Sequence, residues 1–219
     1  RTVDLQQTPV EKRTVIYTIG RPQQGRPAMD GENMGPWTRM VLDEPEEVEV
    51  RPFVFRVNGR PVFIKGMDWQ TPDVLPGRVT AEKTRRLVTA ARDAHVNMMR
   101  LWGGGVVETD DFYRQCSENG IMIWQDFYFA STVYPRDEPF LAEIRREADD
   151  MVRRLRNHTC LSAWCGDNES DMFEYDRGDD FTKNPINRGI LPDALDRLDP
   201  QGRFFQVSSP GGDNNPRSD

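Results

Sequence analysis

The sequence predicts an α/β fold: a parallel sheet covered by helices, arranged as a partial (β/α)8 TIM barrel of about the first five strands, with the end of a β-rich domain before it. Three observations point there. From Pro61 onward, short apolar runs alternate with segments of helical periodicity. The runs are apolar nearly throughout, as strands buried on both faces are. Each run also ends in polar or aromatic residues, the place where a (β/α) barrel collects its functional groups.

Residues 12–20 (KRTVIYTIG) are β-branched and aromatic and read as a strand, and residues 21–36, rich in Gly, Pro, Gln and Asn, read as loop. Residues 48–58 (VEVRPFVFRVN) alternate over Phe53, Phe55 and Val57, a half-buried strand that stops at Asn58–Gly59, and PVFIKG resumes after it. The boundary is therefore placed between residues 1–58, a β-rich remnant, and 59–219, the start of the barrel. Strands are expected at 62–65, 97–101, 121–125, 161–165 and 204–207. In the helix expected at 80–95, Leu87, Ala90, Ala91 and Ala94 form the apolar stripe and Thr80 caps it. The helix at 109–119 opens on Thr109, Asp110 and Asp111 and stops at Gly120. The helix at 138–157 buries Ile144, Ala148, Met151 and Leu155, and a shorter one covers 191–198. An open doubly wound sheet is the rival arrangement. No Gly-rich phosphate loop follows the first strand, and Gly103–Gly105 lacks the nucleotide-binding spacing, so the barrel is preferred.

The bulk composition narrows the function. The chain's 219 residues, 37% hydrophobic and 30% charged with net charge −7, describe a globular protein that is no nucleic-acid binder. No run approaches the roughly 18 apolar residues of a membrane span. Arg1–Gln7 is polar with no apolar core after it, so no secretory signal is expected; a soluble, cytoplasmic protein is favoured, with the compartment left open. The three cysteines, Cys116, Cys160 and Cys165, read as free buried thiols. With only two histidines, a zinc site is not expected, and no other cofactor is implied.

The strand ends carry, in order, Asp68 and Trp69; Trp102; Gln125 and Asp126; Asp167, Asn168 and Glu169; Ser208 and Ser209. Tryptophan faces with fixed carboxylates and an amide suit a sugar, whose ring faces are apolar and whose hydroxyls need oriented partners. Glu169 is the sharpest candidate. Beyond an apolar strand and among Trp164 and Trp102, it would be placed to act as an acid. It reads equally as a surface glutamate in the acidic stretch 167–180, a solvated loop without calcium-site spacing. Asp126 has a structural reading too, as a buried carboxylate paired with Arg100. Alternation puts Trp124 on the same strand face as Asp126, which predicts a tryptophan packing below the site.

These motifs resemble a known family. FVFRVNGRPVFIKG (53–66) is similar to the junction between the immunoglobulin-like domain and the barrel in family 2 glycoside hydrolases. RLWGGG (100–105), WQDF (124–127) and NHTCLSAWCGDNE (157–169) resemble the β-mannosidases of that family most. The resemblance implies that 1–58 is the end of an immunoglobulin-like β-sandwich. It also implies a retaining exo-glycosidase that removes terminal β-D-mannose from an oligosaccharide or glycan. Glu169 would be the acid/base, Asn168 would bind the sugar 2-hydroxyl, and Trp102, Asp126 and Trp69 would line the same subsite. Asp167 stands where β-mannosidases have a second asparagine, which adds negative charge beside the acid, and an expected tryptophan after Glu169 is absent. The nucleophile belongs to a later strand, so it is expected outside this chain, in a missing C-terminal part or a complementing chain, and the fragment alone is expected to be inactive. Other family 2 specificities (β-galactosidase, β-glucuronidase or exo-glucosaminidase) and a non-catalytic carbohydrate-binding fragment remain as alternatives.

Overall fold

The structure, a computed structural model, describes residues 3–7, 53–58 and 60–210. The chain divides into two units, Leu5–Val54 and a second made of Arg1–Asp4 with Phe55–Asp219, and the site lies in the second. The strand and loop expected at 12–20 and 21–36 fall outside the described residues.

After β1 (Val3–Gln7), β2 (Phe53–Val57) pairs antiparallel with β3 (Arg60–Val62) through Phe55–Val62 and Val57–Arg60. Five parallel strands follow, in sheet order β4 (Gly66–Trp69), β5 (Met98–Leu101), β6 (Met122–Asp126), β7 (Leu161–Cys165) and β8 (Phe204–Gln206). The first parallel strand is thus 66–69, whereas the sequence placed it at 62–65. The apolar run there belongs in part to β3, and Phe63 between the two strands is 84% exposed. Hydrophobicity marked the wrong stretch because β4 has β5 as its partner and buries only Trp69 fully.

Between these strands lie α1 (Ala81–Asp93), α2 (Asp110–Asn119) and α3 (Glu138–Leu155). The connection from β7 to β8 carries α4 (Ser170–Asp176), a π-helical turn at Ile186–Ile190 and α5 (Leu191–Leu198). Thr80 caps α1 by accepting from the Lys83 amide, and Asp137 caps α3 by accepting from the Phe140 amide. Gly120 ends α2 at φ +71°, the left-handed geometry in which glycine carries no Cβ penalty. The stripe of α3 is buried as expected, joined by Leu141 and Val152. That of α1 is rotated: Thr84, Val88 and Ala91 face the core and Leu87 is 39% exposed. Those three positions keep i, i+4, i+7 spacing, so small residues and a threonine make the contact.

Register sorts the sheet into two faces, because paired residues of parallel strands point the same way. Trp69, Leu101, Gln125, Trp164 and Phe205 form one row, under the helices. Asp68, Arg100, Trp124, Ala163 and Phe204 form the other, followed two residues on by Asp126, Cys165 and Gln206. The register shifts once between β6 and β7, where Ser162 is the extra residue and its hydroxyl satisfies the Ile123 carbonyl. All three cysteines are free and buried. Among the described residues no helix is long and apolar enough to cross a membrane.

Candidate active site

Asp126, at the end of β6, is 1% exposed and collects four donors. Its Oδ1 accepts from Arg100 Nε (3.2 Å) and Trp124 Nε1 (3.1 Å). Its Oδ2 accepts from Arg100 Nη2 (2.7 Å) and the Gly103 amide (3.0 Å). Burial pushes this carboxyl above the ordinary range, against the pull of Arg100, Gly103 and Trp124. Burial also pulls the Arg100 guanidinium down, yet the Asp126 carboxylate outweighs it and holds it above its usual value. A guanidinium so placed does not give up its proton. The pairing of Asp126 with Arg100, and of Trp124 with Asp126 on one face, agrees with the structural reading of the sequence.

Gly103 lets two loops meet. A Cβ there would lie 2.0 Å from the Phe129 carbonyl oxygen, closer than any side chain tolerates. The next two glycines sit under Trp102: a Cβ on Gly104 would meet the far edge of the indole at 2.2 Å. The glycine run is therefore the bed of the half-buried Trp102 ring, and the Asp126 carboxylate holds the Gly103 amide next to it in the chain.

Arg100 Nη2 also donates to Asn168 Oδ1 at 3.1 Å. Asn168 extends the sheet beyond β7, bridging Ala130 on one side and Ser209 on the other. Glu169 follows at φ +71°, which turns the chain sharply into α4. It occupies the cap position but does not cap. Asp167 Oδ1 accepts from the Ser170 amide instead, at 3.0 Å, and leaves the Glu169 carboxylate to bond the Ser131 hydroxyl (2.8 Å). Gly166 allows this, since a Cβ there would lie 2.1 Å from the Val207 carbonyl oxygen.

Asp167 itself is enclosed by its own hydrogen-bond partners. It is fully buried and accepts from Ser208 Oγ (2.6 Å) and from Asn187 Nδ2, and burial pushes its carboxyl up to about 7 despite these donors. It is thus no exposed charge beside the acid. The acidic stretch after it is solvated only in part: Asp171 and Glu174 are buried on α4 and paired with Arg188 and Arg136, while residues 175–180 are exposed.

The structure brings Asn168, Glu169, Asp126 and Trp102 to the same end of the sheet, through Arg100, Ser131 and Gly103. Trp69 is not among them, which corrects its assignment to the sugar subsite. It lies on the helix-covered row, 7% exposed, donating to buried Glu108 (3.0 Å) and packed on Phe112 at 4.7 Å between ring centroids. Trp164, expected to crowd Glu169, is on that row too, fully buried and bonded to Asp199. The reason is strand alternation: with β4 at 66–69, Asp68 takes the open face and Trp69 the covered one. Ser131 went unnoticed because it lies 38 residues from Glu169 and carries no motif.

A cleft of about 350 Å³ opens on the polar face, lined by Asp68, Met98, Arg100, Trp124 and Ser209. A larger one of about 460 Å³ runs along the outside of α2 to Asn157–Thr159. It reaches the N-terminal end of β7, opposite the strand ends where such folds carry chemistry. Among the described residues, no group of His, Cys, Asp or Glu is placed to hold a metal ion.

Known proteins match this arrangement. β-Mannosidases of Capra hircus and Mus musculus are 46% and 44% identical over 119 and 120 residues, or 54% and 55% of this chain. β-Mannosidase B of Emericella nidulans is 32% identical over 197 residues, 83% of the chain. The likeness is to β-mannosidases. A crystal structure of the Dictyoglomus thermophilum β-D-mannosidase superposes with TM-score 0.71 at 44% identity, over 76% of this chain and 21% of that one. Bacteroides uniformis β-glucuronidase 3, at TM-score 0.57 and 24% identity, shares the fold. No family model matches. This β-mannosidase-like chain spans 14% of the mammalian relatives' length and 23% of the fungal one's.

Proposed function

We propose that this chain is the acid/base-bearing part of a family 2 β-mannosidase, a retaining exo-glycosidase acting on terminal β-D-mannosides of an oligosaccharide or glycan. The observation that carries the reading is the hydrogen-bonded series Asp126–Arg100–Asn168–Ser131–Glu169 at the ends of parallel strands. It lies in a chain similar to β-mannosidases at 44–46% identity over half its length. In this reading the five strands belong to a (β/α)8 barrel, and residues 1–58 close an immunoglobulin-like domain.

Glu169 protonates the glycosidic oxygen as the bond to the anomeric carbon breaks. A second carboxylate, about 5–5.5 Å away, attacks that carbon from the opposite face and forms a glycosyl ester. Glu169, now ionised, takes a proton from water as the ester is hydrolysed. We assign the nucleophile to a part of the polypeptide outside this stretch. Asn168, its carbonyl held by Arg100, is placed for the 2-hydroxyl, and Trp102 offers an apolar face to the ring. The four acceptor positions of the Asp126 carboxylate are filled, so we assign it to holding Arg100 and Gly103 in place rather than to bonding sugar directly.

The test is a panel of aryl β-glycosides assayed with the full-length polypeptide. The mannoside should be hydrolysed with the highest kcat/KM. Preference for a galactoside, glucuronide or glucosaminide would replace this specificity, and binding of mannose without turnover would replace catalysis by recognition.

A further inference from the structure

We infer that Ser131 is a positioning residue for Glu169: its hydroxyl holds one carboxyl oxygen, so the proton given to the substrate is carried on the other. The inference rests on the acid/base reading above.

Arg100 fixes the orientation of the Asn168 amide. A guanidinium only donates, so the Asn168 atom beside it at 3.1 Å is the carbonyl oxygen. The other end of that amide is then the NH2 group, and it faces Ser131 Oγ at 3.4 Å. Ser131 accepts there and donates its single O–H to Glu169 Oε2 at 2.8 Å. With Oε2 already receiving a proton, Oε1 is the atom left to carry the acidic one. The same hydroxyl joins the amide assigned to the 2-hydroxyl to the carboxyl assigned to the leaving group, fixing the two against each other.

The backbone around Ser131 is built for this. The Ser131 amide donates to the Asn168 carbonyl at 2.7 Å, and Ala130 bridges Asn168. Tyr134 Oη accepts from the Ala130 amide at 2.8 Å, and its ring packs edge-on against buried Phe129. Ser131 is held at φ +47°, a conformation uncommon for a residue with a side chain. A position that favours glycine on backbone grounds carries a hydroxyl bonded to the acid.

That backbone supplies a variant that removes the hydroxyl without disturbing the fold. Ser131→Gly suits φ +47°, and Ser131→Ala serves as a second version. Both would be assayed in the full-length polypeptide on an alkyl β-mannoside and on a dinitrophenyl β-mannoside, whose leaving group needs little protonation. We expect kcat/KM on the alkyl substrate to fall roughly tenfold to hundredfold, and on the activated one by less than about threefold. The melting temperature of Ser131→Gly should stay within about 2 °C of the parent. Equal losses on both substrates, or no loss on either, would overturn the role of Ser131 alone. No turnover of either substrate by the parent polypeptide would overturn the glycosidase reading, and this inference with it.

Discussion

The two faces of the five-stranded sheet are made by the same strands and have opposite chemistry. The helix-covered row runs Trp69, Leu101, Gln125, Trp164, Phe205, and its polar atoms have buried partners: Trp69 bonds Glu108, Gln125 bonds Tyr113 and Trp164 bonds Asp199. The open face carries Arg100, Trp124 and Asp126 in a network that continues past the strands through Asn168 and Ser131 to Glu169. Neighbouring residues thus serve different purposes. Asp68 and Trp69, or Gln125 and Asp126, differ by one position and sit on opposite faces. A tryptophan at a strand end is therefore not evidence of a sugar platform until its face is known.

The largest test of this contrast is on the open side. Glu169→Gln keeps the shape and the Ser131 contact, so its cost should be catalytic. We expect turnover of natural or alkyl mannosides by the full-length polypeptide to fall by about 10²–10⁴. Activated aryl mannosides should be affected far less at the glycosylation step, and urea unfolding should change by less than about 1 kcal/mol. Comparable losses on all substrates would break the acid assignment. On the covered side, Trp164→Ala should do the reverse. It removes a fully buried ring stacked on Phe127 and strips the indole donor from Asp199. The expected cost is about 3–5 kcal/mol, read from the urea midpoint. A cost below about 1 kcal/mol would mean this face is not the core.

Asp167 lies just beyond the end of β7, and its prediction has a sign. Its carboxyl is raised by burial from the ordinary 3.8 to about 7, so the folded state holds its proton more tightly than the unfolded state does. Stability from this group is full below 3.8, declines as pH rises, and is lost above about 7. Asp167→Asn removes that decline. Its NH2 group would stand where Oδ2 accepts from Asn187 Nδ2, so the Asn187 amide turns over to accept through Oδ1, a buried atom without a partner. The variant should therefore be more stable than the parent at pH 8 by roughly 2–4 kcal/mol, with the gap closing toward pH 4. An unchanged gap across that range would show that Asp167 does not titrate there. The smallest contrast lies within α1. Val88→Ala should cost about 2 kcal/mol and Leu87→Ala less than about 0.5 kcal/mol, reversing the ranking that apolar periodicity gives.

Most of the α/β order was legible in the sequence because alternating apolar runs and caps are local signals. Thr80, Gly120 and the stripe of α3 act within a turn or two of themselves, and β5, β6, β7 and α5 lie where their patterns place them. The motifs also singled out Glu169, Asn168, Asp126 and Trp102, which the fold gathers at one end of the sheet. The misreadings share a cause. Trp69 and Trp164 were put near the acid because a strand end was treated as a place, when it is a place and a face. The burial of Asp171 and Glu174 within the acidic run was missed because Arg188 and Arg136, which neutralise them, are distant in sequence.

The sequence by itself determined most of the alternation of strands and helices, the caps of α1 and α2 and the residue types available for chemistry, all set by interactions between near neighbours in the chain. Only the tertiary structure decided which side of each strand faces the helices, that Asp167 rather than Glu169 caps α4, and that Ser131 meets Glu169. Those outcomes depend on strand register and loop approach, where a shift of one residue reverses every side chain and no local pattern records the result.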